Sequence, residues 1–136
     1  MNRMLVLIWP LPWTIVGLVI GIVCRIGGGR IVQYKGTVVC YGPWLSRLLR
    51  CVPIPGGASA VTLGHVILAR SKEDMLITHS HELVHVRQYQ RWGPLFIPAY
   101  VAAGLWLWFA GRDCYGENPF EIEAFHLDST RTKLRT

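Results

Sequence analysis

Two uncharged apolar runs set the terms on which this chain can fold. Residues 4–24 are rich in Leu, Ile, Val and Trp with no charged side chain, and residues 95–110 (LFIPAYVAAGLWLWFA) repeat the pattern. A helix needs about 20 apolar residues to span the hydrocarbon of a bilayer. The first run reaches that length and the second falls short. Composition points the same way: 51% of the 136 residues are hydrophobic and 16% charged, with six tryptophans and a mean hydropathy of +0.33. A soluble domain usually carries about 25% charged residues, so apolar surface is left over for lipid or a partner to cover. The length allows one domain with a terminal extension, built on one hydrophobic core.

Pro10 and Pro12 interrupt the first run, so regular helix is expected from about Trp13. Arg3 precedes the run, whereas Arg25, Arg30 and Lys35 follow it, which places the bulk of the chain on the cytoplasmic side. A cleaved signal peptide would call for an A-x-A site, and none follows; a buried core helix is the other alternative. The expected division is a membrane anchor over 1–26 and a domain over 27–136 that includes the apolar segment 94–110. Gly27-Gly28-Gly29 is the flexible break between them. The net charge of +6 suits an anionic bilayer surface. The arginines are scattered and no recognition module is visible, so nucleic acid is not an expected partner. Cys24, Cys40, Cys51 and Cys114 form no C-x-x-C pair and read as free thiols.

Residues 31–40 predict a hairpin, IVQY and TVVCY about a Lys35-Gly36 turn. Residues 44–50, with Trp44, Arg47 and Arg50, have the spacing of a short amphipathic helix suited to a membrane surface, ended by Pro53, Pro55 and Gly56-Gly57. Residues 60–69 (AVTLGHVILA) read as one β-branched strand. Ser71 with Asp74 three residues on marks a helix start, so a helix is expected from about Lys72, or from Thr78 if the start frays, to Trp92. Gly93-Pro94 stops it. Residues 118–126 predict a second short helix with Pro119 in its first turn, and 129–136 a frayed polar tail. The fold class is therefore α+β.

The long helix contains His81-Glu82-Leu83-Val84-His85, the pattern H-E-x-x-H. Four residues are one turn plus about forty degrees, so both imidazoles can reach one metal ion. Glu82 projects beside them, where a carboxylate can take a proton from water. Leu83, Val84 and Val86 are uncharged, as a metal helix packed in a core requires. A catalytic zinc takes three protein ligands and keeps an open position. The extended motif with a third His is absent, because Gln88 and Arg91 stand at its Gly and His positions. The third ligand must come from further along, where Glu121, Glu123 and His126 are available. A structural zinc has no need of Glu82, so the motif favours hydrolytic chemistry.

In these residues the chain resembles the gluzincin metallopeptidases, most nearly the membrane-associated HtpX-like group. There H-E-x-x-H is completed by the Glu of a downstream E-x-x-A-D helix. Glu121-Ile122-Glu123-Ala124 matches E-x-x-A, and Phe125 stands where the family has its supporting Asp. The likeness covers residues 60–126. It implies a small zincin-like domain, with a short sheet, the H-E-x-x-H helix and a C-terminal ligand helix, beside an N-terminal membrane helix and a second apolar helix or hairpin. It further implies one Zn2+ held by His81, His85 and Glu121, lowering the pKa of a water toward ~7 and polarising the scissile carbonyl. Glu82 is then the general base and returns the proton to the leaving amine. Gln88, Glu123 and His126 are expected as supporting groups or alternative ligands, and Asp128 as a stand-in for the missing Asp. Val61, Thr62, Leu63, Gly64 and His65 form the expected edge strand for strand addition of the substrate. His79, Tyr115 and His126 are candidates for stabilising the oxyanion; His65 reads more readily as a structural or pocket residue.

The expected function is that of a membrane-associated, zinc-dependent metallopeptidase, with the bilayer and a peptide or protein substrate as partners. A second copy or a membrane subunit is also compatible. The alternatives are a non-catalytic gluzincin-fold module acting as subunit or adaptor, and a metal-dependent hydrolase of a non-peptide amide.

One constraint follows from chain length alone. If 95–110 crossed the bilayer once, His85 and Glu121 would stand about 30 Å apart on opposite faces. The run forms a helix of about 24 Å, and residues 111–120 can return at most about 33–36 Å fully extended. A shared metal therefore requires a partial entry that breaks at Pro98 or Gly104, or a buried or interfacial helix. The shallow or interfacial arrangement is the expectation.

Overall fold

Proline and glycine decide where the elements begin and end in the computed structural model, which describes residues 2–133. Helix α1 (Arg3–Ile8) stops before Pro10, and α2 (Leu11–Ile26) starts with Pro12 in its first turn, where no intrahelical N–H is required. Regular helix thus resumes at Leu11, two residues earlier than expected. Strands β1 (Arg30–Tyr34) and β2 (Thr37–Tyr41) pair antiparallel about Lys35 and Gly36, both at positive φ (46° and 81°), as a tight primed turn demands. Helix α3 (Pro43–Arg50) follows.

Residues 60–69 are not one strand. They form β3 (Ala60–Leu63) and β4 (Val66–Ala69), folded back on each other through Gly64-His65. Gly64 has a φ of 62°, and a Cβ there would collide with Thr14 of α2. The β-branched residues on both sides hide this turn, which depends on one glycine. The sheet order is β1-β2-β4-β3, with β2 and β4 parallel and the other pairs antiparallel. Strand β3 is therefore an edge.

Alternation along the strands gives the sheet two buried faces. Cys40, Val66 and Leu68 meet Cys24 of α2 and Leu45 of α3 on one side. Val39, Ile67 and Ala69 meet Met75 of α4 (Lys72–Trp92) on the other. Helix α2 docks through Gly17, Gly21 and Cys24, its buried residues. A Cβ at Gly17 would come 2.8 Å from Val66 Cβ, and one at Gly21 would come 2.6 Å from Cys40 Sγ. The opposite face of α2 stays bare, with Ile15, Val19, Ile22 and Ile26 exposed. Gly27-Gly28-Gly29, expected as a flexible break, forms a packed corner in which the Gly29 N–H donates to the Cys24 carbonyl at 2.8 Å.

The Ser71 hydroxyl caps α4 by accepting from the Asp74 N–H at 3.1 Å, so the helix starts at Lys72 without fraying. Gly93, at φ 58°, ends it, and the Trp9 indole packs where a side chain would otherwise stand. A short 3-10 turn (Gly93–Leu95) leads into α5 (Phe96–Phe109). Pro98 falls in the first turn of α5 and Gly104 lies within it, so neither breaks the helix. Only Phe96 and Leu107 of α5 are buried. Val101, Leu105, Trp106, Trp108 and Phe109 are exposed, Phe109 by 78%. Lys72–Phe109 is the one helical run among the described residues long and apolar enough to cross a membrane by length and composition; its apolar window has a mean hydropathy of 1.3 and is 17% buried.

Helix α6 (Pro119–Lys133) begins where Asn118 Oδ1 accepts from the Phe120 N–H at 3.1 Å. It packs alongside α4 and continues through residues 129–133, expected as a frayed tail; residues 134–136 lie outside the described residues.

Candidate metal centre

The four-residue spacing on α4 sets His81 and His85 on one face, and the first turn of α6 brings Glu121 against them. His81 Nε2 lies 3.2 Å from His85 Nε2 and 3.2 Å from Glu121 Oε2, and His85 Nε2 lies 3.5 Å from Glu121 Oε1. Ligand atoms about 2.0–2.1 Å from a tetrahedral zinc lie about 3.3–3.4 Å apart, which matches the separation of the two imidazole nitrogens. The two short distances to Glu121 end on its different oxygens, and one ligand atom from each of the three residues lies within 4.8 Å of the others. The three residues are at most 8% exposed. The donor set, two imidazoles and a carboxylate, also fits a hydrolytic zinc.

The electrostatics of the metal-free cluster favour a cation. Burial works against charge on His85, but its bond to Glu121 and the Glu82 and Glu121 carboxylates together raise its pKa to about 9. Burial likewise opposes ionisation of Glu121, and the two histidines and Tyr100 override it, holding the carboxyl down to about 2. Charge on His85 and charge on Glu121 thus stabilise each other.

The supports of the three groups differ. Gln88, fully buried, accepts from His85 Nδ1 at 2.8 Å and donates to the Phe120 carbonyl at 2.9 Å and to Glu123 Oε2 at 2.8 Å. Glu123 is also paired with Arg91 at 3.1 Å, so it braces Gln88 and does not join the ligand cluster. The Tyr100 hydroxyl donates to Glu121 Oε1 at 2.7 Å. Asn118 Nδ2 donates in turn to the Tyr100 carbonyl at 3.1 Å. His81 Nδ1, by contrast, is buried with no hydrogen-bond partner among the described residues, and the Phe125 ring stands over its imidazole at 4.5 Å. Asp128 bonds Ser80, one residue before His81.

Glu82 is buried beside the cluster, and the Thr62 hydroxyl lies 2.6 Å from its Oε2. The Tyr89 hydroxyl donates to the Thr62 carbonyl at 3.0 Å, tying the edge strand to α4.

No protein-family model matches this chain, and no curated protein or solved structure matches it either. The gluzincin likeness rests on H-E-x-x-H and E-x-x-A alone.

The remaining expected site residues fall outside the cluster. Val61 and Leu63 lie on β3 with Thr62, but Gly64 and His65 belong to the turn and not to a strand. His65 is a strut: its Nδ1 lies 3.2 Å from Thr14 Oγ1 and its Nε2 3.3 Å from Gln90 Nε2. His79 bonds Thr37 at 3.0 Å and packs edge-on to Tyr34, under the sheet. His126 is exposed on α6. Tyr115 does lie near the site: burial first, then the charges of Glu121 and Glu82, push its hydroxyl above the ordinary tyrosine range, so it remains a donor.

Two contributors carried only a faint signal in the sequence. Tyr100 places a hydroxyl in an otherwise hydrocarbon run, and a buried tyrosine oxygen requires a partner. Thr62 is expected to serve through its backbone, whereas its side chain is what reaches Glu82.

Proposed function

We propose that this chain is a membrane-associated zinc metallopeptidase of minimal gluzincin type. The observation that carries the reading is the convergence of His81, His85 and Glu121 at metal-site spacing beside Glu82, a carboxylate that metal holding alone does not need. Zinc bound by these three side chains would polarise the scissile carbonyl and acidify a water. Glu82 accepts the proton of the attacking water and passes it to the leaving amine. Thr62 fixes one oxygen of that carboxylate and leaves the other free for this exchange. The outer edge of β3 accepts the substrate backbone as an added strand. The Tyr115 hydroxyl donates to the oxyanion.

The bare faces of α2 and α5 support the membrane part of the reading. At 16 and 14 residues they are about 24 Å and 21 Å long, both short of a full crossing. They seat in the interface, with α2 fixed to the sheet and the bulk of the domain on the cytoplasmic side beside Arg25 and Arg30.

Metal content and peptidase activity test the reading in sequence. Wild type is expected to hold one zinc and Glu121→Ala to lose it. Glu82→Gln is expected to retain zinc and lose peptide hydrolysis. Zinc retained by Glu121→Ala sinks the ligand set; equal hydrolysis by wild type and Glu82→Gln on a cleaved substrate sinks the enzyme.

A further inference from the structure

The two histidines of the cluster are held unequally, and this has a chemical consequence for the metal. A histidine that ligates through Nε2 must carry its remaining ring proton on Nδ1, and a hydrogen-bond acceptor there fixes the ring and raises its basicity. His85 meets that requirement through Gln88 Oε1 at 2.8 Å. His81 does not: its Nδ1 is buried and has no partner among the described residues. With a metal on Nε2 the ring proton of His81 sits on Nδ1, a buried donor with nothing to meet.

Phe125 is the side chain packed against the His81 ring. It lies one turn after Glu121 on α6, so the helix face that delivers a carboxylate to the cluster delivers a hydrocarbon ring to His81, at 4.5 Å between centroids and 52° between planes. Phe125 is half-exposed, so the cover over His81 faces solvent on its far side. The nearby acidic group on the next turn, Asp128, is engaged by Ser80.

We propose that His81 is the labile ligand of this centre and that Phe125, by standing where an acceptor is needed, keeps the metal exchangeable. The inference rests on the metal-centre reading and adds to it a regulation: occupancy of the site follows the free zinc available rather than being fixed at folding.

The test is zinc affinity and zinc release, measured on the full chain by competition with chelators of graded strength and by the rate of transfer to excess chelator. Phe125→Asp and Phe125→Asn each place an acceptor over His81 and are expected to tighten binding by ~10–100-fold, the usual worth of such a supporting group, with release slowed in proportion. Phe125→Leu keeps an apolar cover and is expected to match wild type. Folded Asp and Asn variants with wild-type affinity and release would overturn the proposal while leaving the centre itself standing. Wild type that takes up no zinc overturns both readings. Nitrogen-15 spectra of zinc-loaded wild type serve where the variants fail to fold. The His85 Nδ1 proton is expected far downfield from its bond to Gln88 and the His81 proton is not; a hydrogen-bonded His81 Nδ1 proton refutes the proposal without any substitution.

Discussion

Gln88→Leu isolates the support of His85 with little change in volume. Gln88 is fully buried and makes three bonds, from His85 Nδ1 at 2.8 Å, to the Phe120 carbonyl at 2.9 Å and to Glu123 Oε2 at 2.8 Å. The bond to the Phe120 carbonyl joins neutral groups and is worth about 0.5–1.5 kcal/mol net; those with His85, whose pKa is raised to about 9, and with the Glu123 carboxylate have a charged partner and are worth about 1.5–3 kcal/mol each. Burial of leucine in place of an amide returns part of this, about 1 kcal/mol. The metal-free protein should therefore lose about 2.5–6.5 kcal/mol, a fall of roughly 9–23 °C in melting temperature at this chain length. Zinc affinity should fall separately by ~10–100-fold, because His85 loses the acceptor that orients it. Thermal melts in chelator give the first quantity and chelator competition the second. A variant that is destabilised as expected yet binds zinc like wild type would show that Gln88 only joins α4 to α6, and the supporting role assigned to it would be wrong.

Three further outcomes are expected. Thr62→Val removes the hydroxyl beside Glu82 Oε2 and should lower kcat by ~10-fold or more with zinc content unchanged; unaltered turnover refutes the role given to Thr62. Gly17→Val forces a side chain onto Val66 and Leu63 and should destabilise by about 1–3 kcal/mol, read from melts in detergent; an unshifted melting temperature would mean that α2 is not docked on the sheet. Acidity should act in opposite directions on the two halves of the metal-free cluster. The pKa of His85 is raised from 6.5 to about 9, so its contribution is complete below about pH 6.5 and lost as pH rises through about 9. The pKa of Glu121 is lowered from 4.5 to about 2, so its contribution is complete above about pH 4.5 and lost as pH falls through about 2. Metal-free melting temperature should fall on raising pH from 6.5 to 9 while zinc affinity rises, since metal and proton compete. A metal-free melting temperature that does not fall over that range contradicts the His85–Glu121 pairing.

Elements whose ends are marked by local chemistry were legible in the sequence. Lys35-Gly36 announces the β1–β2 turn, and Ser71 with Asp74 and Gly93 frame α4. The β3–β4 turn was not, because Gly64 and His65 sit in a β-branched run and the strain at Gly64 comes from Thr14, fifty residues away in sequence. Gly17 and Gly21 carried no reading in the sequence, because what they make room for, Val66 and Cys40, is a matter of tertiary contact. At the site, the imidazole pair follows from helical spacing alone. The place of Glu121 came from likeness to a motif, and the orphaned nitrogen of His81 only from the packing of Phe125.

Tertiary contact also answers the constraint that chain length placed on residues 95–110. The chain does not leave the centre and return to it, because the first half of α5 is part of the centre. Phe96 packs on Tyr89 at 4.3 Å and on Phe120 at 5.2 Å, and Tyr100 reaches Glu121. The loop after α5 runs back along it, with the Cys114 carbonyl 3.6 Å from where a Cβ of Gly104 would stand and Asn118 bonded to Tyr100. Glu121 is thus brought home along the same helix that carried the chain away. In the last turns Leu107 is still buried, while Trp106, Trp108 and Phe109 face outward, about 9–14 Å along the axis from Tyr100. A lipid contact at that tip would bear on the cluster through a helix and not through a tether. Tyr100→Phe would cut the link at the centre, and replacing the exposed tryptophans by serine would cut it at the lipid. If membrane seating positions the site, the serine variant should lose hydrolysis of a bilayer-anchored peptide and keep that of the same peptide in free solution. Parallel loss on both substrates would show that the tip serves folding and has no part in placing the site.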